Sequence, residues 1–341
     1  MRILLDAIHA DLLESLHILF ADRLGWEVYV PDGMDWHTEG LFNYGGEPVA
    51  HQFLDRWATD EVVIPWADAV VWRILDAHPH RRVARITLDG ARATKWDVVL
   101  STLSENDLAL AGFAHEQGAH FGIQVGNQGA ESVWAAAEFG LLSVTTPGFV
   151  PWKPFVTYHQ EFRLRDFSWP PENRDLTMTR VQCFTGTPDY ERMKTLHARG
   201  QDLRFAWHGH CGEPDDLFGG NAHSTAQMVD EMREAGSGYH VKRWSDGYGH
   251  VGFQWFANGR PVVGSASYYA DKLMGPLWVE GVTSWDIDRM GDAEVLNLLR
   301  RFRDDDDFHR EACLAARARF EGVVNFDAEE AMIRDLLSRV L

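Results

Sequence analysis

The chain has 341 residues, 45% of them hydrophobic, enough for two α/β domains of about 150 residues that each bury a core. A formal charge of -19 excludes a surface built broadly for polyanions, though not one local basic groove. Three widely spaced cysteines, Cys183, Cys211 and Cys313, with no CxxC pair, exclude a disulfide framework and fit a reducing cytosol.

The opening MRILLDAIHADLL is apolar, but Asp6 and Asp11 interrupt it, so it reads as a strand and not as a signal peptide. No stretch approaches the length of a transmembrane helix, and the expectation is a cytoplasmic protein without a membrane partner. Residues 2 to 5 predict a buried strand. Leu12, Leu13, Leu16, Leu19, Phe20 and Leu24 follow at helical spacing, and Gly25 closes that helix. WEVYVP gives a second strand, completing a strand-helix-strand unit of a parallel sheet. Further on, 97–103 reads as strand, 107–117 as helix and 120–126 as strand.

The polar, proline-bearing stretch 166–176 reads as an interdomain linker. It separates an N-terminal domain over 1–165 from a C-terminal one over 177–325. Beyond it strands are expected at 179–186, 203–209, 239–244 and 261–265. Helices are expected at 188–199, 224–235 and 251–258, the last closed by Gly259. Such repeated units make a doubly wound sheet, whose ligands sit beyond the carboxyl ends of its strands. The chain ends in helices from about 291. The last, over 326–341, takes its apolar face from Ala331, Met332, Leu336 and Val340.

The stretch that carries chemistry is SDGYGHVGFQWFANGRPVVGS, residues 245 to 265. Gly247 and Gly249 let backbone approach a phosphate closely, and a helix beginning near His250 points its positive end at the same place. Asp246 stands just before the turn and Gln254 one turn into the helix, two acceptors for sugar or ribose hydroxyls. Taken alone, Asp246 reads equally as a helix cap.

This run resembles the retaining GT-B glycosyltransferases of the glycogen-synthase and sucrose-synthase type. Asp246, Gly247, Tyr248, Gly249 and Gln254 fill the places of their Glu, Gly-aromatic-Gly and second Glu. Ala257, Gly259, Pro261, Val262 and Val263 continue in register. The similarity extends more weakly over 179–341. It implies two Rossmann-like domains facing across a cleft that holds the active site, with the C-terminal helix crossing back to the N-terminal domain. It also implies transfer of a sugar from a nucleotide diphosphate donor, a UDP-sugar first, to a hydroxyl, without a metal and with retention. Asp246 would hold the transferred sugar, Gln254 the ribose, and Gly247 to His250 the phosphates. Asp and Gln replace the family's two glutamates, which puts retention and donor preference in question. The family's Arg and Lys after the first strand of the C-terminal domain are not in register in FTGTPDYERMK. Lys242, Thr185, Gly186 and the strand-end His208 are the substitutes that the sequence offers.

Other features have plainer readings beside sharper ones. His208, His210, Cys211 and His223 cluster, but their spacing fits no closed tetrahedral site, so no metal is expected. Asp6, His9 and Asp11, after the first strand, either orient an acceptor hydroxyl or decorate a helix N-terminus. Trp36, Phe42, Tyr44, Trp57, Trp66 and Trp72 read as packing before they read as a stacking platform. Arg73, Arg81, Arg82, Arg85, Arg92 and Lys95 face only Asp76 and Asp89 between residues 73 and 96, either a solvated face or a surface for an anionic acceptor. The opening resembles sequences of phage-like genomes, in which glycosyltransferases decorate hydroxylated pyrimidines, so DNA is one expected acceptor. A nucleotide-sugar 2-epimerase and a non-catalytic sugar-nucleotide-binding protein are the rival functions.

Overall fold

The computed structural model of the protein describes residues 1–6, 10–31, 83–102, 107–125, 136–143, 153–181, 184–208, 214–220, 225–242 and 248–341. The chain divides into two compact units, Met1–Phe162 with Phe326–Leu341, and Arg163–Asn325.

The first unit is built on a seven-stranded sheet in the order β3-β2-β1-β4-β5-β6-β7. Its strands are β1 (Arg2–Asp6), β2 (Glu27–Pro31), β3 (Val83–Ile86), β4 (Val98–Ser101), β5 (His120–Val125), β6 (Phe139–Leu142) and β7 (Phe155–Thr157). Every pairing is parallel. A parallel sheet is covered on both faces, so its strands need near-continuous apolar sequence, and RILL and VVL supply it. Alternate residues of β1 enter opposite cores. Ile3 and Leu5 pack with Leu13 and Leu16 of helix α1 (Ala10–His17), while Leu4 packs with Leu88 of α2 (Leu88–Ala93) and Leu110 of α3 (Asp107–Gln117). After α1 a π-helical turn, Ile18–Arg23, runs on to Gly25, whose φ of 74° is the left-handed conformation that closes the helix. Strand order reverses between β1 and β4, where Asp6 stands in register with Ser101.

The second unit carries a six-stranded parallel sheet in the order β10-β9-β8-β11-β12-β13. Its elements are β8 (Asn173–Thr179), α4 (Pro188–Arg199), β9 (Arg204–His208), β10 (Phe218–Gly220), α5 (Thr225–Glu234), β11 (Ala235–His240), α6 (His250–Ala257), β12 (Val262–Gly264), α7 (Ala266–Tyr269), β13 (Ser284–Asp286), α8 (Asp292–Asp304) and α9 (Asp306–Val323).

Two strands lie earlier than the sequence reading puts them. The strand expected at 179–186 is β8, so residues 173–176 of the expected linker are sheet. Their charges are met by residues far along the chain. Arg174 bonds the Phe302 carbonyl and Asp306, and Asp175 pairs with Arg204 at 2.6 Å. The strand expected at 239–244 is β11, which follows Glu234 of α5 directly. Its small residues AGSG look unlike a strand, yet the packing demands them. A Cβ on Gly236 would lie 2.2 Å from the Arg174 carbonyl oxygen, and one on Gly238 2.6 Å from the Trp255 ring.

The closing helix α10 (Phe326–Val340) belongs to the first unit. Its buried face is Ile333, Leu336 and Leu337, whereas Ala331 and Met332, expected on that face, are exposed. The stripe follows the helical spacing through Glu329, Ile333 and Leu336–Leu337 and leaves Met332 beside it. Arg23 bonds Glu161, Asp327 and Glu330, and buried His159 pairs with Glu329, fixing the helix to this unit. Among the described residues no helix is long and apolar enough to cross a membrane.

Candidate functional site

In the second unit the strand order reverses between β8 and β11, which pair through Ser237↔Thr177 and Gly238↔Met178. Loops leaving two such neighbours run to opposite faces of the sheet and open a crevice at their carboxyl ends. The first loop carries Thr185 and Gly186 to α4, and the second carries Lys242 to α6.

The two helix N-termini at this edge differ. At α4, the Thr187 hydroxyl caps the Tyr190 N–H at 3.1 Å, so one of the groups a helix leaves unsatisfied is already bound within the chain. Gly186, just before it, has a φ of 79° and open space where a Cβ would be. At α6 the cap is Gly249, with φ 77° and ψ 44°, and it has no side chain to offer. Its carbonyl accepts from Gly252 and Phe253, at 2.7 and 3.2 Å. The left-handed φ is the reason for glycine here. The positive end of the α6 dipole at this edge favours an anion.

One turn into α6 lies Gln254, fully buried, and neither its Oε1 nor its Nε2 has a hydrogen-bond partner among the described residues. A buried carboxamide left unsatisfied costs free energy at each end, so its retention points to a ligand able both to donate and to accept. Tyr248 is buried and stacked on Phe253, with ring centroids 4.6 Å apart, so it anchors the turn from beneath. Asp246 and Gly247 lie outside the described residues.

His208 ends β9, one strand away from the crevice, and is buried under the next strand. A Cβ on Gly219 would lie 2.2 Å from its Nε2. Its Nδ1 is 3.6 Å from Glu231 of α5, which also bonds Arg180. Burial, then the Arg180 charge, pushes this imidazole down to about 3, against a bond to the Gly220 backbone. The unfolded chain, with its ordinary value of 6.5, therefore binds the extra proton first. The stability held by neutral His208 is complete above that value and is lost as pH falls toward the folded one. Leucine at 208 is expected to flatten the pH dependence of thermal unfolding between pH 6.5 and 4. An unchanged slope would mean that His208 already carries its proton in the folded chain.

Arg180 is the cation that the sequence reading misses. With β8 ending at Thr179, Arg180 is the first residue beyond the first strand of this unit, at the edge that carries the crevice. It is buried and held by Glu231. A strand over 179–186 would hold Arg180 inside it, whereas β8 ends one residue before it.

The remaining expected site residues divide simply. Lys242 is half-buried, and its carbonyl accepts from the Tyr269 hydroxyl at 3.1 Å. In the first unit Asp6 ends β1 at the reversal point, while His9 lies outside the described residues. Of the arginine-rich segment, 73–82 lies outside them; Arg85 is in β3, Arg92 in α2 and Lys95 just after it, with Arg92 and Lys95 exposed. The aromatic run Trp36 to Trp72, with Cys183, His210, Cys211 and His223, also lies outside. Cys313 is buried, and desolvation pushes its thiol up to about 11.

The two Rossmann-like units, with the last helix returned to the first of them, are the GT-B fold. No family model and no curated protein matches the sequence. Among solved structures, Anabaena HepE in complex with UDP and glucose is similar at a TM-score of 0.64 and 12% identity, over 99% of this chain and 100% of that one. The glycotransferase of kitacinnamycin is similar at 0.52 and 13%, over 98% and 97%. The pneumococcal O-GlcNAc transferase GtfA, in complex with UDP and GlcNAc, is similar at 0.51 and 12%, over 71% and 56%.

Proposed function

We propose that the protein is a glycosyltransferase that takes a sugar from a nucleoside diphosphate donor bound at the crevice of its second unit and passes it to a hydroxyl acceptor. The observation that carries this reading is the pairing of the glycine-capped start of α6 with the buried Gln254, whose carboxamide has no partner among the described residues. The first offers amides and a positive dipole to a diphosphate, and the second offers a donor and an acceptor to vicinal hydroxyls. Similar folds bound to UDP, UDP and glucose, or UDP and GlcNAc add support from outside the chain.

In the reaction the bond between the anomeric carbon and the diphosphate oxygen breaks, the acceptor oxygen bonds that carbon and gives its proton to the departing phosphate oxygen, and negative charge gathers on the leaving group. The α6 dipole and the amides of Gly249 and Val251 meet that charge where it develops, with Arg180 after β8 and Lys242 and Arg243 after β11 the nearest cations in sequence to the two loops. By the resemblance, Asp246 is the carboxylate for the sugar, whose carbon becomes positive as the bond lengthens. Gln254 holds the ribose. The dipole, the amides and the cations offset the charge of the leaving group without a metal, and retention is the expected outcome.

The test is a calorimetric titration with UDP, GDP, ADP and TDP. One of them, UDP first, is expected to bind and to raise the melting temperature, by about 2.7 kcal/mol of added stability at a hundredfold excess over Kd. Transfer to the acceptor is expected to survive EDTA. Failure of all four to bind at millimolar concentration overturns the reading.

A further inference from the structure

Tyr269 is fully buried at the end of α7, in the segment that follows β12, yet its contacts are with the end of β11. Its ring stacks on His240 (centroids 5.2 Å apart, 28° between planes) and on Trp278 (5.2 Å, 6°). Its hydroxyl lies 2.9 Å from His240 Nε2 and donates to the Lys242 carbonyl at 3.1 Å. A hydroxyl has one proton. With that proton on the carbonyl bond, the hydroxyl accepts from Nε2–H, which fixes the His240 tautomer as well.

Two glycines make room for this arrangement. A Cβ on Gly264 would lie 2.2 Å from the His240 carbonyl oxygen, and one on Gly252 2.1 Å from Met274 Sδ and 3.4 Å from His240 Nε2. Apolar packing alone would be served as well by phenylalanine, without burying a hydroxyl beside an imidazole. What the polar pair adds is direction. The carbonyl it grips belongs to Lys242, two residues past the strand and five before Gly247.

We propose that Tyr269 is a positioning residue for the diphosphate site, holding through the Lys242 carbonyl the point from which the chain leaves β11 toward the turn into α6 at Gly249. The inference rests on the reading of that turn as the donor site. Preorganised amides bind more tightly than amides that must be ordered by the ligand, so loosening this grip weakens phosphate binding before anything else.

Tyr269→Phe keeps both ring stacks and removes only the hydroxyl. The dissociation constant of UDP is expected to rise about tenfold, with the donor KM rising in step and kcat staying within about twofold. Uridine, which has no phosphate and is followed by ligand-observed NMR, is expected to bind as it does to the native protein. The ligand-free melting temperature verifies that the variant folds. His240→Phe, which leaves the hydroxyl free to hold the carbonyl, is expected to weaken UDP less than Tyr269→Phe does. Unchanged UDP affinity in Tyr269→Phe, equal losses for UDP and uridine, or the reverse order of the two variants each overturns the assignment of Tyr269 and leaves the donor site standing. Failure of the native protein to bind any nucleoside diphosphate overturns the donor site, and this inference with it.

Discussion

Asparagine in place of Asp246 is expected to lower kcat about 10²-fold while the dissociation constant of UDP stays within about threefold. The substitution separates the two roles that the sequence leaves open at this position. As a helix cap, asparagine serves as well as aspartate, so a capping role would survive the change. As a charge beside the transferred sugar, the carboxylate acts mainly when the anomeric carbon becomes positive, and its loss falls on turnover. Steady-state kinetics with the donor varied, together with UDP calorimetry on the same preparation, distinguishes the roles. Unchanged kcat, or a loss of UDP affinity as large as the loss of turnover, would sink the assignment.

Gln254→Leu is expected to move stability and binding in opposite directions. The carboxamide is fully buried and lacks partners among the described residues. Each unsatisfied buried polar group costs about 1–3 kcal/mol, and a leucine of similar volume removes that cost. The ligand-free protein is therefore expected to melt at a higher temperature than the native one. The donor loses a partner that contributes alike in the ground and transition states, so its KM is expected to rise about thirtyfold with kcat little changed. Stability given up for function in this way is ordinary at binding sites. A variant that melts lower than the native protein with unchanged donor KM would show the amide to be part of the packing, not of the site.

The sequence by itself fixes much of what is periodic or local. RILL, VVL and the helical spacing from Leu12 to Gly25 are legible because burial on both faces of a parallel sheet demands continuous apolar residues, and a helix demands a regular stripe. The start of α6 is legible because a left-handed cap requires glycine, whatever surrounds it, and Gly249 has that conformation. Gln254 is singled out by its place one turn on.

The tertiary structure decides what depends on partners far along the chain. Strand β8 begins at Asn173 in a segment that reads as linker, because Phe302, Asp306 and Arg204 satisfy its charges. Strand β11 begins at Ala235 because its glycines meet the Arg174 backbone and the Trp255 ring. Misplacing β8 hides Arg180. His208 looks from its strand end like a donor ligand, and only the packing of Gly219 over its ring and the adjacent Arg180–Glu231 pair show it to be buried and neutral. Spacing along the chain reports which residues share a face. Whether a polar residue on that face is satisfied depends on atoms that only the folded chain brings within a few ångströms, and that is why the lack of a partner for Gln254 among the described residues and the hold of Tyr269 on Lys242 belong to the tertiary structure alone.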